Sequence, residues 1–459
     1  MLRQITVILA VVPVILIAPL LAAPPEEIPG KRIPRQLPTK VSYPPELPDG
    51  KTYVTAKSEM FLEQPPSSPL LAGVEVAKTP PTVDFLYYPG QTYEGKPWSN
   101  WGDSSFAAGK YYSAIGDHLA PQGNAFVFEY DPAKKALRQV ADVRKVINLP
   151  AGHYTPGKIH SHVELGSDGW LYFSTHRGST RVTTDANHYL GDWILRANPK
   201  TGETEVVAHG PVPKHCIPNG LLDPQRLIFY GGTAPGVGGE NEGIQFFAYD
   251  INKQKILYAG PDGPGRAMIL AKSTGRIYYT PAVTDSPLMR FDPASGKPPE
   301  KLEGTIGIRA ATDETPQNIV YTVSQGRRGN VSTLYAFNTK TEQITVLGPA
   351  AVGVNEYVAS LKADPTGRYL YYVPGAHGGS DRDNSAVVQF DTQTKKRKVI
   401  AFLKPYFEHH LACIPRGTYA VAIDDKGEAL YITWNISRGS KAWDCCGLAV
   451  VHIPKEERL

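Results

Sequence analysis

The 459-residue chain is poor in cysteine and methionine, with four of each. Four thiols are too few for a disulfide-stapled scaffold, so a hydrophobic core must carry the fold. No C-x-x-C-H occurs, which excludes covalently attached c-type haem. Charge of one sign is lacking as well. The 48 basic and 44 acidic residues leave a formal net charge of +4. That is too little to argue for nucleic acid, yet compatible with an acidic ligand held locally. Sustained helical periodicity is absent, and beyond the N-terminus no apolar run approaches membrane-spanning length. What is plentiful is 43 Gly, 41 Pro and 25 Tyr. The turn formers follow no G-X-Y period, which excludes collagen, and the aromatics exclude wholesale disorder. A turn-rich β protein is the expectation.

Met1 to Arg3 is a short basic start and Ile5 to Ala23 is almost wholly apolar. Residues 1–23 read as a secretory signal peptide, so the protein is expected to be secreted or periplasmic. An uncleaved anchor is the alternative, since the run is just long enough to cross a bilayer; only then would a membrane be a partner. No lipobox cysteine follows. Residues 24–81 are rich in Pro and charge and read as a linker or a segment draped over the domain.

From residue 82 to 459 a phrase recurs in which turn residues precede alternating aromatic and β-branched ones. Its copies are SSFAAGKYYSAIG, GSDGWLYFSTH, DPQRLIFYGGT, KSTGRIYYTPA, DETPQNIVYTVS, DPTGRYLYYVPG and DDKGEALYITWN. A second phrase, such as FEYDPAKKAL or VQFDTQTKKRKVI, follows most of them with an apolar strand, an Asp/Asn turn and a charged strand. Each unit thus holds about four short strands that cannot bury their faces alone. Seven units closing radially make an all-β, seven-bladed β-propeller. The final strand, LAVVHIP, is expected to complete a blade begun near residue 83. KKRK (395–398) reads as a charged, solvated outer edge.

In a propeller the innermost strands line a central channel. The aromatic phrase is the second strand of each unit, so the residues before it start the innermost one. This places His160, His162, His215, Arg266, Arg309 and Tyr357 at the channel mouth. His118 and His176 end second strands, and Tyr230 lies near the corresponding place in unit three. Strand alternation puts His160 and His162 on one side. Convergent titratable groups in a concave site suit catalysis.

The run WSNWGDSSFAAGKYYSAIGDHLA, then EYDP, then PGKIHSHVELGSDGWLYFSTHRG, resembles the seven-bladed propeller polysaccharide lyases of the ulvan lyase type, and more distantly the oligogalacturonate lyases. The likeness spans residues 82–459 but is locally specific only from Trp98 to Gly178. It implies β-elimination at a uronic acid, with an acidic polysaccharide or oligosaccharide as substrate and no nucleic acid. It implies that His160 and His176 are catalytic histidines, Tyr230 an acid or base and Arg266 the neutraliser of the uronate carboxylate. His118, His162, His215, Arg309 and Tyr357 would then bind substrate. The chain departs from the pattern after Tyr230. A Gly-rich loop, GGTAPGVGGENEG, stands where an arginine is expected, which is why Arg266 of the next unit is the choice, with Arg309 close behind. The loop lacks the Gly-Lys-Ser/Thr ending of a phosphate loop.

No cofactor is required by this chemistry, but two metal readings exist. His410 (or His409) with Cys413, Cys445 and Cys446 can supply one imidazole and three thiolates to a structural zinc. A disulfide from Cys413 or free thiols are the alternatives. A catalytic divalent ion on His160 and His162 would take over the neutralising role of Arg266. The functional alternative to a lyase is a non-catalytic propeller that binds a glycan or protein partner.

Overall fold

The computed structural model describes residues 38–66, 68–118, 123–237, 242–282, 286–326 and 330–458, with backbone only at Thr180. The expected signal peptide and the start of the Pro-rich segment lie outside the described residues. No helix among the described residues is long and apolar enough to cross a membrane.

The architecture is a seven-bladed β-propeller. Blades one to six span residues 98–142, 158–209, 215–260, 269–301, 310–349 and 358–402, each an antiparallel sheet ordered from the channel outwards. Every aromatic phrase forms a second strand, for example Leu171–His176, Ile228–Pro235 and Tyr369–Pro374. Blade seven combines both ends of the chain. Ile414–Ile423, Ala429–Ser437 and Cys445–His452 come from the end, and Thr82–Tyr87 pairs antiparallel with the last of them, from Thr82 opposite His452 to Tyr87 opposite Gly447.

Among the described residues the core is not one mass but eight apolar clusters, seven of them wedged between neighbouring blades and a small eighth around Tyr357, Tyr419 and Trp101. Strand alternation explains this, because successive side chains serve opposite faces. Leu221 packs between blades three and four, and its neighbour Leu222 between blades two and three. A blade therefore needs apolar residues at nearly every position, and the continuous runs LYF, IFY and LYYV meet that demand.

The Pro-rich segment is partly draped over the outside. Val54–Lys57 adds a fifth strand beside Thr82–Tyr87, and Val74–Val76 pairs in parallel with the outer strand of blade six, Arg397–Phe402. The KKRK edge is thus not open as expected. Val74–Val76 covers its second half, and Lys398 pairs with Glu457 at 2.7 Å. Two outer edges are closed in this way, which removes templates for pairing with other chains.

The innermost strand of blade two is broken between Lys158–Ile159 and Glu164–Leu165. In the gap the backbone bonds sideways: His162 N–H donates to the Gly220 carbonyl at 2.9 Å and Val163 N–H to the Asp103 carbonyl at 3.2 Å. An interrupted ladder re-aims its side chains, and here the re-aimed stretch carries His160.

Phe85 is 1% exposed on the closing strand and meets the Phe407 ring edge-on at 4.8 Å. Phe85→Ala is expected to lower unfolding free energy by about 3–5 kcal/mol through lost burial and a cavity at ring closure. Val346→Ala, on an exposed outer strand, is expected to change it by less than about 0.5 kcal/mol. Urea titration followed by tryptophan fluorescence measures both.

Candidate functional site

One face of the propeller opens into a cavity of about 400 Å³ at the start of the innermost strands. That volume suits a small ligand or a sugar unit. Its lining comes from six of the seven blades, so it exists only because the ring closes. Blade one gives Trp101 and His118, blade two Lys158, His160 and His176, blade four Arg266. Blades five, six and seven give Arg309, Tyr357, His377, Tyr419 and Trp443.

Trp101 is the hub. Its ring lies 5.1 Å from Tyr419, 5.2 Å from His118 and 5.5 Å from His377, and stacks on His160 at 5.8 Å. The Lys158 ammonium sits 4.1 Å from the same ring, a cation–π contact. Asn100 holds the neighbouring backbone, accepting from Tyr419 N–H at 3.2 Å and donating to Gly102 and Ala114.

Three basic side chains, Lys158, Arg266 and Arg309, face this space, and none of the described lining residues is acidic. The Arg309 Nε–H donates to the Tyr357 hydroxyl at 2.7 Å, and its guanidinium covers the Tyr357 and Tyr419 rings. Burial, with Arg266 adding to it, pushes the Lys158 ammonium down to about 7. Burial and then Lys158 hold His160 well below its ordinary value; burial and then His160 do the same to His176. Burial, Lys158 and His377 bring His118 down to about 3. These imidazoles are neutral near pH 7.

His160 has its tautomer assigned by a single contact. Nδ1 lies 2.8 Å from the Pro218 carbonyl oxygen, which only accepts, so Nδ1 carries the proton and Nε2 keeps its lone pair. A second hydrogen-bonded pair stands across the pocket: His377 Nδ1 and the Tyr419 hydroxyl, 2.7 Å apart. The site thus offers a proton acceptor, a Tyr–His pair able to give or take a proton, and cations for developing negative charge.

Of the residues singled out from the sequence, His118, His160, His176, Arg266, Arg309 and Tyr357 line this one cavity. The His160 and His176 rings are 4.6 Å apart. His162 points deeper into the channel, 3.7 Å from Glu164 and 3.9 Å from Asp103. Burial opposes its charge, but the two carboxylates outweigh it and raise its pKa. His160 and His162 both line the inner part of the channel beside Asp103, where His162 faces the acids and His160 Nδ1 is held by the Pro218 carbonyl.

Tyr230 is corrected. It is fully buried between blades three and four, its ring beside Phe246 and its hydroxyl donating to the Gly275 carbonyl at 3.1 Å. Phe229 and Tyr230 alternate to opposite faces of the strand, and both faces are blade interfaces, not channel. His215 is also outside the pocket, buried with Nδ1 2.8 Å from Thr233 Oγ1 and Nε2 3.3 Å from Glu242.

The proposed C-terminal zinc ligands are not brought together. Cys445 and Cys446 are successive strand residues and point into different clusters, Cys445 with Cys413 and Cys446 on the opposite side. His410 is exposed on the short helix Leu403–Leu411, against Tyr406. Cys413, Cys445 and Cys446 are buried free thiols in this structure, so the disulfide alternative is not formed either. Trp101, Lys158, His377, Tyr419 and Trp443 are the pocket residues that sequence reasoning missed. Tyr419 lies on the innermost strand Ile414–Ile423, just before the last aromatic phrase, and Lys158 two residues before His160, so their positions were readable.

No family model matches the chain, and no curated protein matches it. Among solved structures it is similar to a chain in the crystal structure of the mitotic checkpoint complex, with a TM-score of 0.47 and 10% identity over 80% of this chain and 93% of that one. It is also similar to the β-propeller domain of the Trilobed protease from Pyrococcus furiosus, with a TM-score of 0.43 and 11% identity over 74% of this chain and 90% of that one.

The electrostatics give a spectroscopic expectation. In a histidine-labelled sample, His118, His160 and His176 ring signals stay neutral across pH 6 to 8, and His160 shows the Nδ1–H tautomer. His162 instead titrates above the ordinary histidine value of about 6.5. A protonated His160 at pH 7 in the nitrogen spectrum would contradict this assignment.

Proposed function

We propose that the chain is an exported polysaccharide lyase that cleaves a uronic-acid-containing glycan by β-elimination. The observation that carries the reading is the convergence of Lys158, Arg266 and Arg309 with neutral histidines and Tyr419 in a pocket whose described lining has no carboxylate. Glycoside hydrolysis ordinarily needs a pair of carboxyl groups flanking the bond, and that pair is missing among the described lining residues. An elimination needs what is present. The apolar N-terminal run supports export.

The steps follow from the groups. The uronate carboxylate docks against Arg266, with Lys158 and Arg309 adding positive field, so that removal of the C5 proton spreads charge onto a neutralised carboxylate. His160 Nε2, a lone pair held by the Nδ1 contact to Pro218, takes the proton. The C5–H electron pair forms the C4–C5 double bond as the C4–O bond breaks. Tyr419, paired with His377, gives its proton to the departing sugar oxygen. Tyr419 takes the role the resemblance had assigned to Tyr230, and Trp101 offers a flat apolar face to the sugar ring.

A second reading is a propeller that binds a glycan without cutting it, favoured by the Trp101 and Trp443 rings, 6.0 Å apart at the pocket. The two are separated by following ultraviolet absorbance of the unsaturated product with ulvan, polygalacturonate and glycosaminoglycans. The lyase reading expects product from at least one of them. Arg266→Ala and His160→Ala are expected to reduce turnover at least about 100-fold with the fold retained, while Tyr230→Phe keeps it. Binding by calorimetry with no product from any uronate would decide for the second reading.

The Lys158 ammonium makes binding pH-dependent. An anion binds best when Lys158 is protonated, which in the free protein holds below about 7. Affinity for a uronate oligomer is therefore expected to be highest below that value and to fall by up to about tenfold per pH unit above it. Lys158→Arg, which stays charged, is expected to flatten the profile. Calorimetry between pH 6 and 9 reads both.

A further inference from the structure

Behind the pocket wall a second set of donors meets. One imidazole nitrogen of His176, a carboxylate oxygen of Asp192 and the Cys216 sulfur all lie within 4.8 Å of one another. They come from three strands or strand ends on two blades. His176 ends the second strand of blade two, Asp192 precedes the third, and Cys216 is the second residue of the innermost strand of blade three. Asp192 and Cys216 are fully buried, and His176 is 8% exposed. Nδ1 of His176 is buried and has no hydrogen-bond partner. A buried ring nitrogen without a partner is costly unless something ligates it, and this ring stands in a group with a carboxylate and a thiol.

We infer that His176, Asp192 and Cys216 form a binding site for one divalent ion of the zinc class. The donor set is one nitrogen, one oxygen and one sulfur. Calcium and magnesium take oxygen ligands, whereas zinc takes imidazole, carboxylate and thiolate together. Tetrahedral zinc with bonds of about 2.0–2.3 Å sets its donor atoms roughly 3.3–3.8 Å apart, so modest inward movement of the three side chains completes the shell. Three protein ligands leave the fourth position for water or a ligand.

The surroundings supply outer support of the kind metal sites need. Thr175 Oγ1 donates to Asp192 Oδ1 at 2.7 Å and the Tyr154 hydroxyl donates to the same oxygen at 3.0 Å. The Tyr189 hydroxyl reaches Asp192 Oδ2 at 3.5 Å. Cys216 lies 3.2 Å from the Ala234 carbonyl, to which it donates its S–H proton; on ligation that proton passes to solvent and the thiolate bonds the ion. One carboxylate and one thiolate cancel the ion's two charges. The Arg177 guanidinium, held by the Pro235 carbonyl at 2.6 Å, is the nearby opposing cation. Because the His176 ring also lines the pocket, 4.6 Å from His160, the ion would fix one wall of the candidate site.

The test uses the whole protein and does not depend on any activity. After chelator treatment and equilibration with zinc followed by desalting, elemental analysis is expected to find about one zinc per chain. Cobalt in its place is expected to give a thiolate charge-transfer band in the near ultraviolet. That band is expected to vanish in Cys216→Ser and weaken in Asp192→Asn, and to persist in Cys413→Ser. His176→Gln is expected to lower zinc affinity at least about 10-fold. Wild-type protein that retains no zinc, a cobalt complex without a thiolate band, or a band that survives Cys216→Ser while Cys413→Ser removes it would each overturn the inference. The first two readings need no variant, so poor folding of Cys216→Ser leaves the proposal open to refutation.

Discussion

The pairing of Thr82–Tyr87 with Cys445–His452 is the constraint on which the remaining structure rests. Blades of four short strands bury both faces only between neighbours, and an open row of seven would leave two apolar faces in water. Joining the two ends of the chain in one sheet removes that cost. It also sets the inner diameter, because seven tapered sheets with Leu, Ile, Tyr and Phe between them fit at one spacing only. The pocket inherits its geometry from this closure. Trp101 comes from blade one and Tyr419 from blade seven, so their 5.1 Å contact lies across the seam.

Gathering Lys158, Arg266 and Arg309 around one hollow is unfavourable in the free protein. Like charges repel, and burial weakens the hydration that each would have in water. The fold accommodates this in part through aromatic faces: Lys158 over Trp101, and Arg309 over Tyr357 and Tyr419. The histidines respond by staying neutral. What remains is a site whose residual electrostatic cost an anion would relieve, and the desolvation that depresses Lys158 is part of that cost.

Much of this was legible in the residues and some was not. The repeat of turn plus aromatic strand gave the blade count and the second strands, because both depend on local turn chemistry and on continuous apolar runs. It also put His160, Arg266, Arg309 and Tyr357 at the mouth and His118 and His176 at strand ends that reach the same cavity, but it placed His162 and His215 there too, and neither lines it. Tyr230 failed because both faces of a second strand are blade interfaces, Phe229 serving one and Tyr230 the other, so only residues at the strand ends reach the pocket. His377 was missed for a related reason: it follows the strand Tyr369–Pro374, in a turn whose path no periodicity predicts. The C-terminal cysteines were misread through proximity in sequence. Adjacent strand residues diverge, and Cys445 and Cys446 serve different cores.

The channel is also polar along its axis. At the entry end of the innermost strands lie Lys158, Arg309, Tyr357 and Tyr419; at the exit end of the same strands lie Glu164, Asp313, Asp364 and Asp424. The separation is only four to seven residues of strand, about 13–23 Å. Between the two mouths His162 and Lys362 are tied to Asp103, whose Oδ1 also accepts from Ser360 Oγ at 2.8 Å. This paired layer divides a cationic opening from an acidic one, so the near-zero net charge of the whole chain conceals two strong fields of opposite sign. On the lyase reading proposed above, an anionic glycan would be drawn to the first opening and repelled by the second, lying across the cationic face and not through the ring. The composition alone shows a balance; the fold turns that balance into a direction.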